Sequence, residues 1–259
     1  VPELPEVETL CRQLRQVALG RLILNLEVLD QKLGAGMNPS GQRIRNIRRI
    51  GKAIEVVLEG ELTLKIHLRM TGRLYWQEPY HMSLPHTRFV LTLSNGVLSC
   101  VDPRRFATLS FGKSGWASPP ADDSLLAFHP VKLWCLAQRR KLPIKSFLLD
   151  QRVIAGIGNI YACEILHAAA IHPQRKAETL SLADWRRLGD MALNILQRAI
   201  ACRGTTLSDW RDLFGKRGEY QACLRVYRQE GRTCFRCGKI IRRVALQGRG
   251  TYFCASCQI

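Results

Sequence analysis

The chain has 259 residues, enough for one large or two modest domains, and its 46% apolar content is ordinary for a globular protein. Thirty-nine Lys and Arg against 21 Asp and Glu give a formal charge of +18 and a pI near 10.0, which favours a polyanion as partner, nucleic acid well ahead of an anionic membrane surface. No apolar run reaches the roughly 18–20 residues of a membrane span and the acidic start is unlike a secretory signal, so the expectation is a soluble, intracellular protein that does not engage a membrane.

The chain opens on Val1-Pro2-Glu3-Leu4-Pro5-Glu6-Val7-Glu8. Proline suits the first turn of a helix, and acids there face the positive end of its dipole. Val7, Leu10, Leu14 and Val17 then recur at helical spacing, with Gly20 as a stop. Two readings stay open. One is an acidic helix cap; the other is a terminus held still for chemistry. A terminal amine has a pKa of roughly 8 against about 10.4 for lysine, so more of it is a free nucleophile at neutral pH. If the amine is that of Pro2 it is secondary, and attack on an aldehyde-like carbon gives an iminium that is positive without a proton. Glu3 would lie beside it as proton donor or acceptor.

Short β-type runs follow at 22–29, 54–58, 62–68, 89–93 and 97–101, with Asn95-Gly96 predicting a type I′ hairpin turn. Residues up to about 112 therefore read as a helix packed on an antiparallel sandwich or barrel. Gly115, Ser118, Pro119 and Pro120 mark a linker. The pattern then turns helical at 144–149, 160–169 and 182–201, before short strands around cysteine pairs close the chain. Basic residues bunch in three places: Arg43, Arg45, Arg48, Arg49 and Lys52; Arg139, Arg140, Lys141 and Lys145; and 12 Lys/Arg against 4 Asp/Glu from Arg203 onward. Any one run reads as a solvated face, whereas three together suit a groove contacting phosphates.

Ten cysteines without an export signal argue against a disulfide scaffold. Cys11, Cys100, Cys135, Cys163, Cys202 and Cys223 are read as small buried hydrophobes. Cys234-x2-Cys237-x16-Cys254-x2-Cys257 has the spacing of tetrahedral Zn²⁺ ligation, and four thiolates leave no open position for substrate. One structural zinc would thus staple a hairpin carrying Arg242, Arg243 and Arg249. In Ala155-Gly156-Ile157-Gly158-Asn159-Ile160-Tyr161-Ala162, Tyr161 stands where a dinucleotide fingerprint has its third glycine, and no strand precedes it. It reads as a glycine turn between helices. Asn159 opens the second, either as a phosphate site or as a packing corner. Met70 and Asp102-Pro103-Arg104-Arg105-Phe106 offer apolar wedges flanked by positive charge, as in proteins that unstack base steps, although Met70 and Phe106 singly are more often core residues. Lys52, after Gly51, reads alone as a surface lysine.

Together and in this order, Pro2 to Glu8, Lys52, Met70, Asp102 to Phe106, Gly156 to Ala162 and the four-cysteine finger resemble the bacterial formamidopyrimidine-DNA glycosylases over essentially the whole chain. Leu4 and the wedge set are similar to these rather than to their endonuclease VIII cousins. The resemblance implies an α+β protein. An N-terminal antiparallel β-sandwich with flanking helices spans 1–112, a linker 113–128, a helix–two-turn–helix domain 129–226 and a zinc finger 227–259, with DNA in the cleft between the two main parts. It implies a bifunctional base-excision repair glycosylase and abasic-site lyase acting on oxidised purines, 8-oxoguanine and formamidopyrimidines, in damaged double-stranded DNA. Such an enzyme would be a monomer of the bacterial cytoplasm and nucleoid. Pro2, Glu3, Lys52 and Arg249 would form the catalytic set: Pro2 the nucleophile at C1′, Glu3 the acid/base, Lys52 on the phosphate beside the lesion. Met70, Arg104 and Phe106 would fill the gap left by the everted nucleotide, Asn159 and Arg249 would grip phosphates, and Lys216 in the Gly215-Lys216-Arg217-Gly218 loop would read the base. The alternatives are an endonuclease VIII-like enzyme for oxidised pyrimidines, and a lesion-binding relative without catalysis if Val1 is retained.

Three departures stand out. Val1 precedes the proline and makes its nitrogen an amide, so Val1 is expected to reflect a non-standard start codon and to be removed from the working protein. Arg69 replaces a usual Gly, and Glu219-Tyr220 a usual Tyr-Phe pair, which bears on wedge shape and lesion preference.

Overall fold

The computed structural model describes residues 2–33, 37–78, 84–113, 122–123, 125 and 128–259. Val1 and the linker residues Gly115, Ser118, Pro119 and Pro120 lie outside the described residues. The chain forms two compact units, residues 1–118 with 202–219, and residues 119–201 with 220–259.

In the first unit, α1 (Leu4–Ala18) begins where Pro5 pre-sets φ in its first turn, and Glu3 and Glu6 form a capping box. Its apolar face buries Val7, Leu10, Cys11 and Leu14. Among the described residues eight strands follow: β1 (Ile23–Val28), β2 (Ile44–Ile50), β3 (Ala53–Leu58), β4 (Leu62–His67), β5 (Arg73–Gln77), β6 (Thr87–Leu93), β7 (Gly96–Val101) and β8 (Thr108–Lys113). They make two four-stranded antiparallel sheets, ordered β1-β6-β7-β5 and β2-β3-β4-β8. Ile47, Ile54, Leu64, Leu74, Phe89 and Leu91 fill one shared core, as expected of a sandwich. Residues 202–219 return to this unit and add Leu213 to that core, with Trp210 packed against it. The Trp76 backbone N–H donates to the Leu213 carbonyl (3.1 Å), and Gln13 exchanges hydrogen bonds with Asp212 (2.9 Å) and the Leu213 N–H (3.0 Å).

Strands β2, β5 and β8 escape a search for apolar runs. Each is half-buried, and in β2 a register shift between Ile44 and Asn46 resets the alternation among four polar residues. The hairpin joining β6 and β7 forms, but not with the turn its sequence suggests. Leu93 pairs with Gly96, so Ser94 and Asn95 are the central residues, and neither has positive φ. Gly96 serves close packing instead: a Cβ there would lie 2.4 Å from the Trp76 ring. Both φ are positive instead in the Gln247-Gly248 hairpin turn (48° and 71°).

The second unit contains β9 (Asp122–Asp123), α2 (Pro130–Ala137), α3 (Ile144–Leu149), β10 (Ile154–Ala155), α4 (Asn159–Ala168), α5 (Leu182–Ala201), β11 (Arg242–Leu246) and β12 (Arg249–Phe253). Its core includes the fully buried Trp185, whose ring meets Phe147 edge-on at 5.2 Å. A strand does precede the glycine turn, since β10 pairs in parallel with β9, but two residues cannot build a nucleotide-binding βαβ unit. No described helix is long and apolar enough to cross a membrane.

Candidate active site and metal centre

Pro2 and Glu3 are both buried, Glu3 to 4% exposure. Glu3 is the N-cap of α1, and the Glu6 carboxylate accepts the Glu3 N–H at 2.8 Å and the Thr205 N–H at 2.7 Å. Gly204, at φ +80°, closes on the same carboxylate so tightly that a Cβ would stand 2.6 Å from Glu6 Oε1. The start of the helix is thereby fixed to the returning segment. The cap reading is structurally right, and it also holds Pro2 and Glu3 still. Nothing in the sequence singled out Glu6 beyond its helix position; its partners on the returning segment lie about 200 residues away.

Lys52 occupies the two-residue turn between β2 and β3, after Gly51 at φ +57°. It lies among the charges that act on His67. Burial first, then Arg69, Lys52 and Lys65, hold the His67 ring down at about 4, so it is neutral at pH 7. Its Nδ1 accepts the Arg69 N–H at 3.0 Å, which leaves the proton on Nε2. His67 belongs to the set the sequence reading missed; its signal was its place at a strand end, three residues before Met70.

Met70 (48% exposed) and Phe106 (43%) are not core residues, despite their chemistry. They sit on two loops, 68–72 and 102–107, which flank β5 and β8 respectively. The Arg104 guanidinium stacks 4.7 Å above the Phe106 ring. Arg105 turns away and clamps Asp30 through two hydrogen bonds (2.8 and 2.5 Å), holding the Asp30 carboxyl well below the usual range. The motif therefore presents one guanidinium beside the aromatic, not two.

The basic runs are likewise partly internal. Arg49 is buried against Glu8 (3.0 Å), Arg48 pairs with Glu55 (2.8 Å) and Arg140 with Asp150 (3.0 Å). The first two runs therefore hold strands and helices together as much as they offer a face to phosphates. Lys216 is exposed on a loop organised by the buried Asp212 carboxylate, which accepts the N–H groups of Phe214 (3.0 Å) and Lys216 (2.8 Å).

In the second unit, Gly158 is the N-cap and Asn159 the first residue of α4. The Asn159 amide donates to the Gly250 carbonyl at 3.0 Å, and the buried Lys145 reaches that carbonyl (3.3 Å) and Thr251 Oγ1 (2.7 Å). Asn159 and exposed Arg249 are thus brought together at the start of β12.

Cys234, Cys237, Cys254 and Cys257 place four Sγ atoms within 4.8 Å of one another. The Cys237–Cys254 and Cys234–Cys257 separations, 3.5 and 3.8 Å, match the roughly 3.8 Å that tetrahedral Zn–S bonds of about 2.3 Å require. The donor set therefore fits one zinc with no open position. The Lys239 N–H, foremost, lowers the Cys237 thiol, whereas burial raises Cys254 and the hydrogen bond with Cys237 raises Cys257, so the clustered thiols share protons that a zinc ion would displace. Two neighbours absent from the sequence reading support the centre. His167 Nε2 lies 3.5 Å from Cys234 Sγ, and the buried Glu164 carboxylate accepts the N–H groups of Arg225, Val226 and Tyr227 (2.9, 3.0 and 2.8 Å), anchoring the segment that leads into the finger. Of the other six cysteines, Cys11, Cys100 and Cys163 are buried as expected, whereas Cys202 and Cys223 are partly buried and Cys135 is exposed on α2, because that short helix buries only Leu133 and Ala137.

Residues 1–109 match the formamidopyrimidine-DNA glycosylase N-terminal domain, 121–210 the formamidopyrimidine-DNA glycosylase H2TH domain, and 231–259 the zinc finger found in FPG and IleRS. A formamidopyrimidine-DNA glycosylase of Chloroflexus aurantiacus is 40% identical, over all of this chain and 98% of its own length. Among solved structures, the Fpg protein of Thermus thermophilus superposes with a TM-score of 0.89 at 36% identity, covering 99% of this chain and 98% of its own. Lactococcus lactis Fpg, in complex with DNA containing an abasic site, superposes with a TM-score of 0.90 at 29% identity and 99% coverage of both.

Proposed function

The chain belongs to the formamidopyrimidine-DNA glycosylase family, and on that premise we propose that it excises oxidised purines, 8-oxoguanine and formamidopyrimidines, from damaged duplex DNA and then opens the abasic site. The observation that carries the mechanism is the buried Pro2–Glu3 pair at the capped start of α1. A nucleophile held in place forfeits little entropy on reaching its near-attack position.

The enzyme works as a monomer on the DNA of the bacterial cytoplasm, and its excess positive charge supplies a salt-dependent hold on phosphates. Lys52, Asn159 and Arg249 grip phosphate oxygens. Eversion of the damaged nucleotide costs a few kcal/mol, and Met70, Arg104 and Phe106 offset it by occupying the vacated stack, with Arg104 against the orphaned base. Lys216 and its loop contact the everted base. The Pro2 nitrogen lone pair bonds to C1′ as the C1′–N bond breaks toward the base, and the proton shed by the Pro2 nitrogen neutralises the departing base. Glu3 donates a proton to the ring oxygen, the sugar opens, and the secondary amine becomes an iminium. That cation draws electrons from C2′, so loss of a C2′ proton expels the 3′ phosphate, and a further elimination expels the 5′ phosphate. Zinc, held by the four cysteines, supplies structure to the β11–β12 hairpin.

This chemistry needs Pro2 to carry the free amine, since any preceding residue makes it an amide. Intact mass of the active protein is expected to begin at Pro2. Borohydride is expected to trap a covalent complex on 8-oxoguanine duplexes, with trapping weakened in Pro2→Gly and in Glu3→Gln. Excision that survives both substitutions would overturn the assignment, and preference for thymine glycol would move the enzyme to the pyrimidine-directed branch.

A further inference from the structure

The loops carrying Met70 and Phe106 meet at a single buried carboxylate. Asp102, fully buried, accepts four hydrogen bonds: from the Thr71 hydroxyl at 2.5 Å, and from the N–H groups of Arg104 (3.2 Å), Phe106 (2.7 Å) and Ala107 (2.6 Å). Three of these shape the 102–107 loop itself. The fourth crosses to the other loop, at the residue directly after Met70. Burial alone would push the Asp102 carboxyl up; the Thr71 hydroxyl and then the three N–H groups outweigh it and hold the carboxyl below its ordinary range.

A second contact joins the same loops. Gly72 turns back on Leu68, its N–H donating to the Leu68 carbonyl at 3.0 Å. A Cβ on Gly72 would lie 2.6 Å from that carbonyl and 3.0 Å from Ala107 Cβ, so the missing side chain lets the two loops touch. From the opposite side, the buried Arg88 reaches Asp102 (3.6 Å) and donates to the Ala107 carbonyl (3.2 Å), while it also pairs with Asp30, the anchor of Arg105. The 102–107 loop is thus fixed to the sandwich, and the 68–72 loop is fixed to it by the Thr71 hydroxyl and by the close approach of Gly72 to Ala107.

We infer that Thr71 and Asp102 are positioning residues that make Met70 and the Arg104–Phe106 pair a single wedge, inserted as a unit into the stack left by the everted nucleotide. The inference rests on the wedge reading above and adds what holds its two halves in register. Neither residue touches the reacting atoms. Two side chains on separate loops would each lose orientational freedom on insertion, whereas a pair fixed in advance does not. The specificity this provides is for a gap in the stack, not for undamaged duplex.

The test is a duplex holding a tetrahydrofuran abasic analogue with 2-aminopurine opposite the gap, titrated with the full-length zinc-loaded protein. Wild-type protein is expected to raise 2-aminopurine fluorescence as the wedge displaces the base from its stack, and Met70→Ala to blunt that rise. Thr71→Val, which keeps both wedge side chains and removes the hydroxyl, is expected to blunt it similarly and to reduce the preference for gapped over intact duplex about tenfold, the scale of one hydrogen bond to a charged acceptor. Thr71→Ser restores both signals, with the melting temperature of each variant measured alongside. Wild-type fluorescence and preference in Thr71→Val, with Met70→Ala still defective, would overturn the coupling and leave the wedge intact. Wild-type behaviour in Met70→Ala would overturn the wedge reading, and the coupling with it. Failure of serine to rescue, or a blunted signal accompanied by global unfolding in both Thr71 variants, would reduce Thr71 to a packing residue.

Discussion

Replacing Glu6 with alanine should destabilise the first unit by about 2–4 kcal/mol. The carboxylate is 2% exposed and accepts two backbone N–H groups, of Glu3 at 2.8 Å and Thr205 at 2.7 Å. Hydrogen bonds to a charged acceptor contribute about 1.5–3 kcal/mol each, so their joint loss is roughly 3–6 kcal/mol. Relief from burying a carboxylate returns part of that. Urea denaturation followed by the fluorescence of Trp76 and Trp210, both packed on the first unit's core, measures the difference. Amide exchange at Thr205 locates it, because that N–H loses its acceptor. The neighbouring glycine supplies an internal control. Gly204→Ala introduces a Cβ at φ +80° and 2.6 Å from Glu6 Oε1, so it combines left-handed backbone strain of about 1–2 kcal/mol with a steric clash. In the Glu6→Ala background the clash disappears and the strain remains, so the two substitutions together should cost less than the sum of their separate effects. A Glu6→Ala loss below about 1 kcal/mol, with unchanged exchange at Thr205, would refute the view that this carboxylate ties the start of α1 to the returning segment.

Other expectations concern the metal, acid stability and one backbone outlier. One zinc per chain should be released by chelation, with collapse of the β11–β12 hairpin and loss of DNA affinity, because structural zinc contributes roughly 10–16 kcal/mol to folding such a unit; full DNA binding by metal-free protein would contradict this. His67 should titrate near 4 by NMR, with the proton on Nε2 at neutral pH. Its folded value lies below the ordinary 6.5, so the unfolded chain binds the extra proton, and stability should fall by up to about 3 kcal/mol as pH drops from about 6.5 to about 4. A midpoint near 6.5, or an acid profile unchanged in His67→Gln, would remove the effect. Arg69 is held at φ +54°, a conformation that disfavours any side chain, so Arg69→Gly should gain about 0.5 kcal/mol of stability after the entropy of glycine is counted, and should raise the His67 midpoint by removing a neighbouring charge. A destabilised Arg69→Gly protein would show that the arginine makes contacts outweighing its strain.

The first helix, the central strands and the zinc ligands could be read from the sequence because each is specified locally. Pro5 and the acids mark a helix start, buried apolar runs mark β3 and β4, and a pair of CxxC motifs needs no partner elsewhere. What escaped was set by contacts distant in sequence. Half-buried β2 carries its arginines toward Glu8 and Glu55, so it looks like a charge cluster until its partners are known. Gly96 looks like a turn residue and is instead a slot for the Trp76 ring. Arg105 reads as a second DNA contact until Asp30, 75 residues earlier, is seen to hold it. Asp212 and Glu164 show no pattern at all, because a carboxylate that caps loop N–H groups is an ordinary acid in the sequence.

Leu213 enters the first unit's core only after α2 to α5 have left the ribosome. A nascent chain paused at residue 118 therefore lacks Leu213 and Trp210 from its hydrophobic interior, and the first unit is completed only after residues 119–201 of the second have been synthesised. Gene fragments cut at the apparent boundary should yield insoluble sandwiches, while supplying residues 202–219 in trans, or by circular permutation, should rescue them.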